Sequence, residues 1–287
     1  MAATGSPIRN ALSFDVEEYF QVSNYAGAVP RSSWETIPSR LRVGMDAILS
    51  ALRDAGVKAT FFVLGWVAER HADLVRALAG EGHEIAAHGY DHRLVYDLGE
   101  GPFRDDLRKT LEILSPLAGA GGVAGYRAPS FSITERSLFA FRVLKDEGLR
   151  YDSSLFPVRH PRYGMPGAPR FIHVRDEGIV EFPLTTVRAL GKNLPVAGGG
   201  YFRLLPYAIT RDAIARVNRE GEPAVLYLHP WEFDPEQPVV PGAGVLNRFR
   251  HRVNLDRTGA RLRRLLSEFS FAPLRDVIAA KIGSGKT

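Results

Sequence analysis

Residues 11–18 read ALSFDVEE, a short apolar run that ends in a cluster of carboxylates. A second run of the same kind, EIAA at residues 84–87, leads directly into HGYDH at residues 88–92. Both runs have the length and composition of buried strands. Carboxylates after one strand and a His-x-x-x-His pair after another are what a hydrolytic metal site requires. The two stretches therefore predict a strand-based fold that carries a metal-dependent amide hydrolase.

Short apolar runs alternate with helical patterns along most of the chain. Strand-like runs lie at 11–14, 59–63, 84–87, 125–128, 151–152, 179–182 and 224–228, and helical patterns at 41–55, 72–81, 103–117, 134–147 and 206–219. Gly56 and Gly82 each follow a helical pattern, as a helix-ending glycine does, and Thr134 reads as an N-cap. The alternation predicts parallel βα units, and we expect an α/β fold: a single distorted (β/α) barrel of about seven strands with a C-terminal helical extension.

Three segments do not follow the alternation, namely residues 18–40, residues 156–175 and the tail after Trp231. We expect the first two to lie over the site as long loops. The tail ends in an amphipathic pattern, which predicts a helix packed on the barrel. The expected division is a barrel over residues 1–233 and a C-terminal extension over residues 234–287.

Polar groups follow the predicted strands where each one ends. In a barrel of parallel strands, active groups collect at this edge. Each residue also has a structural reading, as a loop cap, a solvated charge or an ion-pair partner. Their shared location favours a site composed of Asp15, Glu17, His88, His92, Arg127, Asp152 and His229.

The order of these groups resembles the five motifs of the polysaccharide deacetylases, the NodB-homology or carbohydrate esterase 4 group. The matching stretches are SFD at 13–15, HGYDH at 88–92, RAP at 127–129, DS at 152–153 and LH at 228–229. The DVEEYF opening at 15–20 and the HPWEF stretch at 229–233 resemble the exopolysaccharide-associated branch found with exosortase systems, in which a C-terminal segment follows.

One position departs from the family pattern. Many members have two adjacent Asp residues in the first motif, and here the second is Val16, which cannot bind a metal. The resemblance implies that Glu17 replaces it, with Glu18 as the second choice. Metal-free allantoinase-like and formamidase-like relatives also open with Asp-x-Glu, but they tend to lose the second histidine. This chain keeps His92, which favours a metal.

The resemblance implies a mechanism for each residue. Glu17, His88 and His92 would hold a divalent metal, most simply Zn²⁺, and a backbone N–H near Ser130 would help to stabilise the oxyanion. Asp15 would be the general base, oriented by Arg127. His229 would be the general acid, held in its charged form by Asp152. The implied reaction removes N-acetyl groups from N-acetylhexosamine units of a poly- or oligosaccharide, such as an exopolysaccharide or cell-envelope glycan, and releases acetate.

Two further readings stay open at this stage. One is a metal-independent cyclic-amide hydrolase of the same fold, and the other is a catalytically silent glycan-binding protein. Retention of both Asp15 and His229 argues against the silent protein, because binding alone does not need them. Eight aromatic residues could stack on sugar rings: Tyr19, Phe20, Tyr25, Trp34, Phe131, Tyr201, Phe202 and Trp231. The glycine-rich stretch Gly198–Gly200 lacks the Lys-Ser/Thr ending of a phosphate-binding loop, which argues against nucleotide binding. It could instead let a glycan chain approach the backbone closely.

The amino-acid composition limits which metal ligands and binding partners are possible. The 287 residues include no cysteine, so any metal must use nitrogen and oxygen ligands. The net charge of +5 includes a basic stretch from Arg248 to Arg264, which is a solvated helix face or a surface for an anionic polymer or membrane lipid. We expect an N-acetylated glycan as partner, and no nucleic acid. No signal peptide or membrane span is visible, which predicts a cytoplasmic chain or one peripheral to an envelope-glycan assembly.

Overall fold

A curled parallel sheet forms the centre of the molecule in a computed structural model, which describes residues 8–196 and 198–283. The strands, in chain order, are β1 Asn10–Val16, β2 Thr60–Val63, β3 Glu84–Ala87, β4 Gly125–Tyr126, β5 Tyr151–Asp152, β6 His173–Val174, β7 Val180–Glu181, β8 Thr186–Ala189, β9 Lys192–Pro195, β10 Val225–Leu228 and β11 Phe271–Ala272. Seven of them run parallel in the order β10-β1-β2-β3-β4-β5-β7. This order confirms the predicted (β/α) barrel of about seven strands.

Helices follow most of the strands and cover the outside of the sheet. They are α1 Leu41–Ala55, α2 Gly65–Arg70, α3 Ala72–Gly80, α4 Val95–Leu98, α5 Glu100–Leu114, α6 Phe139–Asp146, α7 Gly199–Leu204, α8 Tyr207–Arg219, α9 Val245–Arg252, α10 Leu255–Glu268 and α11 Leu274–Gly283. Short 3₁₀ turns occur at 23–25, 31–36, 119–121, 129–131 and 230–233. None of the helices in the described ranges is both long and apolar enough to cross a bilayer.

The buried face of α1 shows how the pattern becomes structure. Met45, Ile48 and Leu52 recur on one side of the helix and are each fully buried. Gly56 ends the helix with a φ of 64°, a left-handed conformation that glycine adopts without strain. The predicted bounds of 41–55 are therefore confirmed.

One predicted helix begins later than expected. Thr134 does not cap a helix, because α6 starts only at Phe139. The hydroxyl of Ser137 instead accepts a hydrogen bond from the Thr134 backbone N–H, at 3.0 Å, and the segment between them forms a turn. The serine side chain competes with helix formation for the backbone N–H, and the pattern of apolar residues does not reveal such a contact.

The sheet is open on one side. Within the described residues, no ladder of backbone hydrogen bonds joins β7 or the antiparallel edge strand β6 to β10. The Thr185 hydroxyl partly fills this seam, because it donates to the Val225 carbonyl oxygen at 3.0 Å and accepts from its N–H at 2.6 Å. A separate antiparallel hairpin, β8–β9, begins at the residue after Thr185.

The tail returns to the barrel. Strand β11 pairs with the first residues of β1, and α10 packs against α1 and the turn at 230–233. Leu262 and Leu265 of α10 are fully buried, in agreement with the amphipathic pattern. The division of the chain at residue 234 stays a prediction.

Candidate active site

A cavity of about 920 Å³ opens at the carboxyl edge of the parallel strands. Residues from both predicted insertions line it, including Ser23 and Tyr163. Five of the seven residues predicted for the site also line it: Asp15, Glu17, His88, His92 and His229. Arg127 and Asp152, both fully buried, lie behind this wall. Most of the residues predicted from their position at strand ends therefore lie on the wall of one cavity.

Glu17, His88 and His92 form a compact trio of potential metal ligands. One ligand atom from each lies within 4.8 Å of the others, and all three residues are buried. The loop that joins the histidines is tightly turned, since Gly89 has a φ of 76° and His92 a φ of 59°. This turn brings the His92 ring back towards His88, with 5.6 Å between ring centroids. Elsewhere in the described ranges, no trio of His, Asp or Glu meets the same distance condition.

The protonation of His88 suits metal binding. Its Nδ1 lies 2.8 Å from the Arg127 carbonyl oxygen, which can only accept, so Nδ1 carries the proton. The lone pair of Nε2 is therefore free, in the arrangement usual for metal-binding histidines. Burial lowers the pKa of His88 to about 4, which keeps the ring neutral near pH 7.

Glu17 provides the test of whether these residues fit a cation. Its Oε1 accepts a hydrogen bond from Trp231 Nε1 at 3.1 Å. Its Oε2 is buried, lies 2.9 Å from His92 Nε2, and receives no well-oriented hydrogen bond from the described part of the chain. Burial raises the pKa of Glu17, but the charge and hydrogen bond of His92 outweigh it, together with the charges that His229 and His88 carry at low pH, and hold the pKa at about 2. An ionised, unsatisfied oxygen facing two imidazoles fits a divalent cation such as Zn²⁺.

Asp15 is held from behind by Arg127. Arg127 Nη1 donates to Asp15 Oδ1 and to the Ser13 hydroxyl, both at 2.7 Å, while its remaining nitrogens donate to Ser153. The other carboxylate oxygen, Oδ2, lies 3.9 Å from His229 Nε2. Arg127 thus fixes one oxygen of Asp15 and leaves the other directed into the cavity.

His229 lies opposite, with its Nε2 between two carboxylates. Nε2 is 3.9 Å from Asp15 and 3.7 Å from Glu17, and Nδ1 lies 3.2 Å from Glu232 Oε2. Burial lowers the pKa of His229, but the hydrogen bond and charge of Glu232, aided by Glu17 and Asp15, raise it to about 9. The imidazole is therefore protonated near neutral pH.

The prediction that Asp152 holds His229 is wrong. Asp152 accepts hydrogen bonds from the Ser154 N–H at 2.9 Å and from the Ser154 hydroxyl at 2.7 Å. Burial raises the pKa of Asp152, and it also raises the pKa of the neighbouring Glu181. Asp152 therefore braces the loop after β5, and the carboxylate that contacts His229 Nδ1 is that of Glu232.

Glu18, the second choice for the third ligand, lies away from the histidines. Its carboxylate accepts hydrogen bonds from the Ser39 hydroxyl and from the Arg40 backbone N–H. Adjacent side chains after a strand point to opposite sides, so only Glu17 can face the cavity.

Two charged residues next to the site were missed from the sequence. Glu232 Oε1 accepts from Arg203 Nε at 2.8 Å, and both side chains are almost completely buried. Burial raises the pKa of Glu232, but Arg203 and His229 reverse the effect and lower it to about 2. The spacing of Glu232 three residues after His229 was the available signal, since the two form a capping pair around the turn at 230–233.

The glycine-rich stretch 198–200 packs closely against Glu232 at Gly199. Gly199 begins α7 rather than lying in a loop, and a Cβ atom there would come within 1.8 Å of Glu232 Oε2. Glycine at this position therefore leaves room for the Glu232 carboxylate.

Three of the eight aromatic residues that could stack on a sugar line the cavity, namely Phe131, Tyr201 and Trp231. The other five, Tyr19, Phe20, Tyr25, Trp34 and Phe202, are buried in the core.

Comparison with known proteins first defines the class of fold. Over its full length the chain superposes on a candidate polysaccharide deacetylase from Mycobacterium smegmatis, with a TM-score of 0.62, 21% identity and 96% of that chain covered. A candidate polysaccharide deacetylase from Pseudomonas aeruginosa gives a TM-score of 0.65 at 16% identity, with 98% of this chain and 92% of that chain covered. These likenesses establish a NodB-type (β/α) barrel.

Sequence similarity then gives the family. Residues 34–151 match the polysaccharide deacetylase family, and residues 153–279 match a domain of unknown function, DUF3473. A peptidoglycan-N-acetylglucosamine deacetylase from Bacillus cereus is 44% identical over 72 residues, which is 25% of this chain and 26% of the relative. A chitooligosaccharide deacetylase from Rhizobium leguminosarum is 32% identical over 96 residues, which is 32% of this chain and 45% of the relative.

Residues 34–151 thus form a polysaccharide deacetylase domain, of the NodB or carbohydrate esterase 4 group. The matched segments span less than half the length of these curated relatives. The family match includes His88, His92 and Arg127, whereas Asp15 and Glu17 precede it.

Proposed function

We propose that the protein removes N-acetyl groups from N-acetylhexosamine units of a poly- or oligosaccharide and releases acetate. One observation carries this proposal: three potential metal ligands, a carboxylate paired with a buried arginine and a protonated histidine all face one cavity. Amide hydrolysis requires these three functions together, because the carbonyl must be polarised, water deprotonated and the amine protonated.

Glu17, His88 and His92 would hold the metal, for which we propose Zn²⁺. When bound, the metal supplies Lewis-acid polarisation of the acetamido carbonyl and lowers the pKa of water. Trp231 orients Glu17 through its indole N–H, and the Arg127 carbonyl orients His88. Ser130, whose φ is 50°, lines the cavity and would present its backbone N–H to the oxyanion.

Asp15 would accept the proton of the attacking water at Oδ2. Arg127 occupies Oδ1 and is fully buried, so the carboxylate has one orientation and one free oxygen.

His229 would donate the proton from Nε2 to the departing amine. Glu232 binds Nδ1, which directs Nε2 into the cavity and stabilises the imidazolium. Arg203 in turn holds Glu232, so the acid is backed by a buried chain of alternating charges.

The glycan is best sought among N-acetylglucosamine polymers. The cavity is wide enough for more than one sugar ring, and its wall presents Phe131, Tyr201 and Trp231. Relatives named for peptidoglycan and chitooligosaccharides support this choice. The DUF3473 match over residues 153–279 covers the HPWEF stretch, but not the DVEEYF opening, of the resemblance to the exopolysaccharide-associated branch. On that resemblance we propose an exopolysaccharide or cell-envelope glycan as substrate.

The test is acetate release from N-acetylated oligosaccharides and an exopolysaccharide preparation, with allantoin as the alternative substrate. Each is assayed with a chelator and again after Zn²⁺ is restored. We expect acetate from at least one glycan, loss with the chelator and recovery with Zn²⁺. Chelator-resistant turnover of allantoin would replace the proposal with the metal-independent hydrolase, and glycan binding without acetate release would identify a silent binder.

A further inference from the structure

Helix α9 presents an unusual face to solvent. Val245, Leu246 and Phe249 have 75%, 58% and 58% of their surface exposed. At 3.6 residues per turn these three side chains fall within about 100° of one another, so they form one stripe. A surface helix normally turns such a stripe inward and places polar residues outside. Here the exposed side is the apolar one.

The inward side of α9 is polar and is fixed by the site. His251 stacks on Trp231 with 4.0 Å between ring centroids, and its Nε2 lies 2.7 Å from Gln237 Oε1. Asn247 donates to the Asn24 carbonyl oxygen at 3.2 Å. These contacts fix the rotation of the helix, so the apolar stripe cannot turn inward without breaking them.

Arginines flank the stripe on both sides. Arg250 lies along one side, and Arg248 and Arg252 lie along the other. No carboxylate of the described residues comes within 4.0 Å of these three guanidinium groups, although most other arginines in the structure form ion pairs. Arg252 donates only to the carbonyl oxygens of Gln237 and Pro235, which leave its charge uncompensated.

We propose that the outward face of α9 docks on an anionic membrane surface. Val245, Leu246 and Phe249 would enter the interface, while the arginines would meet lipid phosphates. Apolar side chains set between uncompensated cations are the features of an interfacial helix. Each arginine adds electrostatic attraction to anionic lipid.

Other occupants fit this face less well. An anionic polymer in water would meet the arginines but would have no use for three exposed apolar side chains. A second copy of the chain, paired across a two-fold axis, would bring the same three arginines together from both sides and repel. A bilayer interface supplies both the anionic layer and the apolar layer.

Docking would set the direction in which the cavity faces. Asn247, Arg250 and His251 of α9 line the cavity, and so does Leu204 of α7, which is 44% exposed. Arg162, from the second insertion, lines it as well. A docked molecule would therefore hold the cavity mouth beside the lipid head groups. The proposal does not depend on deacetylation, because it is tested by binding alone.

The experiment measures co-sedimentation of the full chain with vesicles. Vesicles of phosphatidylcholine with phosphatidylglycerol are compared with vesicles of phosphatidylcholine alone, at low and high salt. We expect binding to the anionic vesicles that weakens as salt rises. The variant Val245→Ser/Leu246→Ser/Phe249→Ser should bind about tenfold or more weakly, because three apolar contacts are removed. Its rate on a water-soluble oligosaccharide should not change, since none of the three residues lines the cavity.

Matched controls separate α9 from the surface in general. Leu190→Ser/Leu194→Ser removes two exposed apolar residues from the β8–β9 hairpin and should leave vesicle binding intact. Arg248→Gln/Arg250→Gln should weaken binding roughly 25-fold, at about fivefold for each arginine. Arg76→Gln/Arg219→Gln removes the same charge from α3 and α8 and should have a much smaller effect.

Any of four results would overturn the proposal, two of them in the vesicle assay. One is equal binding of the wild-type chain to both kinds of vesicle, and the other is a serine variant that is folded and binds like wild type. A wild-type dimer that the serine variant dissociates, without vesicle binding, would assign the face to self-association instead. If the serine variant fails to fold, Phe249→Trp decides: its fluorescence should shift to the blue with anionic vesicles, and no shift would refute docking.

Discussion

His88 and His229 face the same cavity but are held in opposite protonation states. Burial lowers the pKa of His88 to about 4, whereas Glu232 overcomes burial and raises that of His229 to about 9. His88 is bound at Nδ1 by a neutral backbone carbonyl, and His229 by a carboxylate. The difference shows that the partner at Nδ1 decides whether a buried imidazole can be a ligand or an acid.

Removal of the ligand histidine should have the largest effect. His92→Ala should abolish stoichiometric binding of Zn²⁺ and acetate release together. The two remaining ligands, Glu17 and His88, would not hold the ion against its hydration by water. Metal content by mass spectrometry and initial rates check this result. His160→Ala, which removes a histidine from the rim of the same cavity, should keep both. A metal-free His92→Ala protein with full activity would remove the metal from the mechanism.

Asp15→Asn should cost activity but not metal. The loss of a general base lowers kcat by about 10²–10⁴-fold. The amide can still meet Arg127 through its oxygen, so the fold and the ligand trio should survive. Equilibrium dialysis with Zn²⁺ alongside kcat measures the two effects. Loss of the metal in Asp15→Asn would instead make Asp15 a ligand.

Glu232→Gln should convert His229 towards the behaviour of His88. Without the carboxylate, the His229 pKa falls from about 9, so the imidazolium is lost at lower pH. We expect the alkaline limb of the kcat profile to move to lower pH and activity at pH 8 to fall roughly tenfold or more, because less of the His229 imidazole is then protonated. A rate that falls equally at all pH values would indicate that Glu232 has only a structural role.

The same variant should also lose stability, and the size of that loss should depend on pH. The pKa of Glu232 is lowered from 4.5 to about 2, so its stabilising charge is present above pH 4.5 and is lost as pH falls towards 2. Glu232→Gln also leaves the buried Arg203 with carbonyl oxygens but no charged partner, which costs about 3–5 kcal/mol at pH 7. Urea unfolding at pH 7 and pH 3 should show this difference shrinking at low pH. Glu177→Gln, at a partly exposed pair with Arg175, should cost less than about 1 kcal/mol.

Much of the molecule was predictable from local pattern. Helix 41–55, strand 84–87 and the short strand 151–152 were each predicted with the bounds observed. The strand-end rule also placed the ligand trio and Asp15 in one cavity, because parallel strands share one carboxyl edge. These features depend on periodicity and on chain direction, which the sequence carries directly.

The groups that back the acid were not predictable in the same way. Asp152 lies at a strand end, as expected, but the nearby Ser154 binds both of its oxygens. Arg203 lies 29 residues before Glu232, and the pairing arises only when α7 packs against the turn at 230–233. Long-range pairing of buried charges leaves no periodic trace in a single sequence.

The place of β1 in the sheet has a consequence for how the chain folds. This strand carries Asp15 and is followed directly by Glu17, and it pairs with β2, with β10 and with β11. Two of these neighbours lie more than 200 residues further along, so the strand reaches its full set of partners only after nearly the whole chain has left the ribosome. Pairings of such long range close slowly. Asp15 and Glu17 precede two of the three partner strands by more than 200 residues, and we expect them to be among the last residues to reach their final positions.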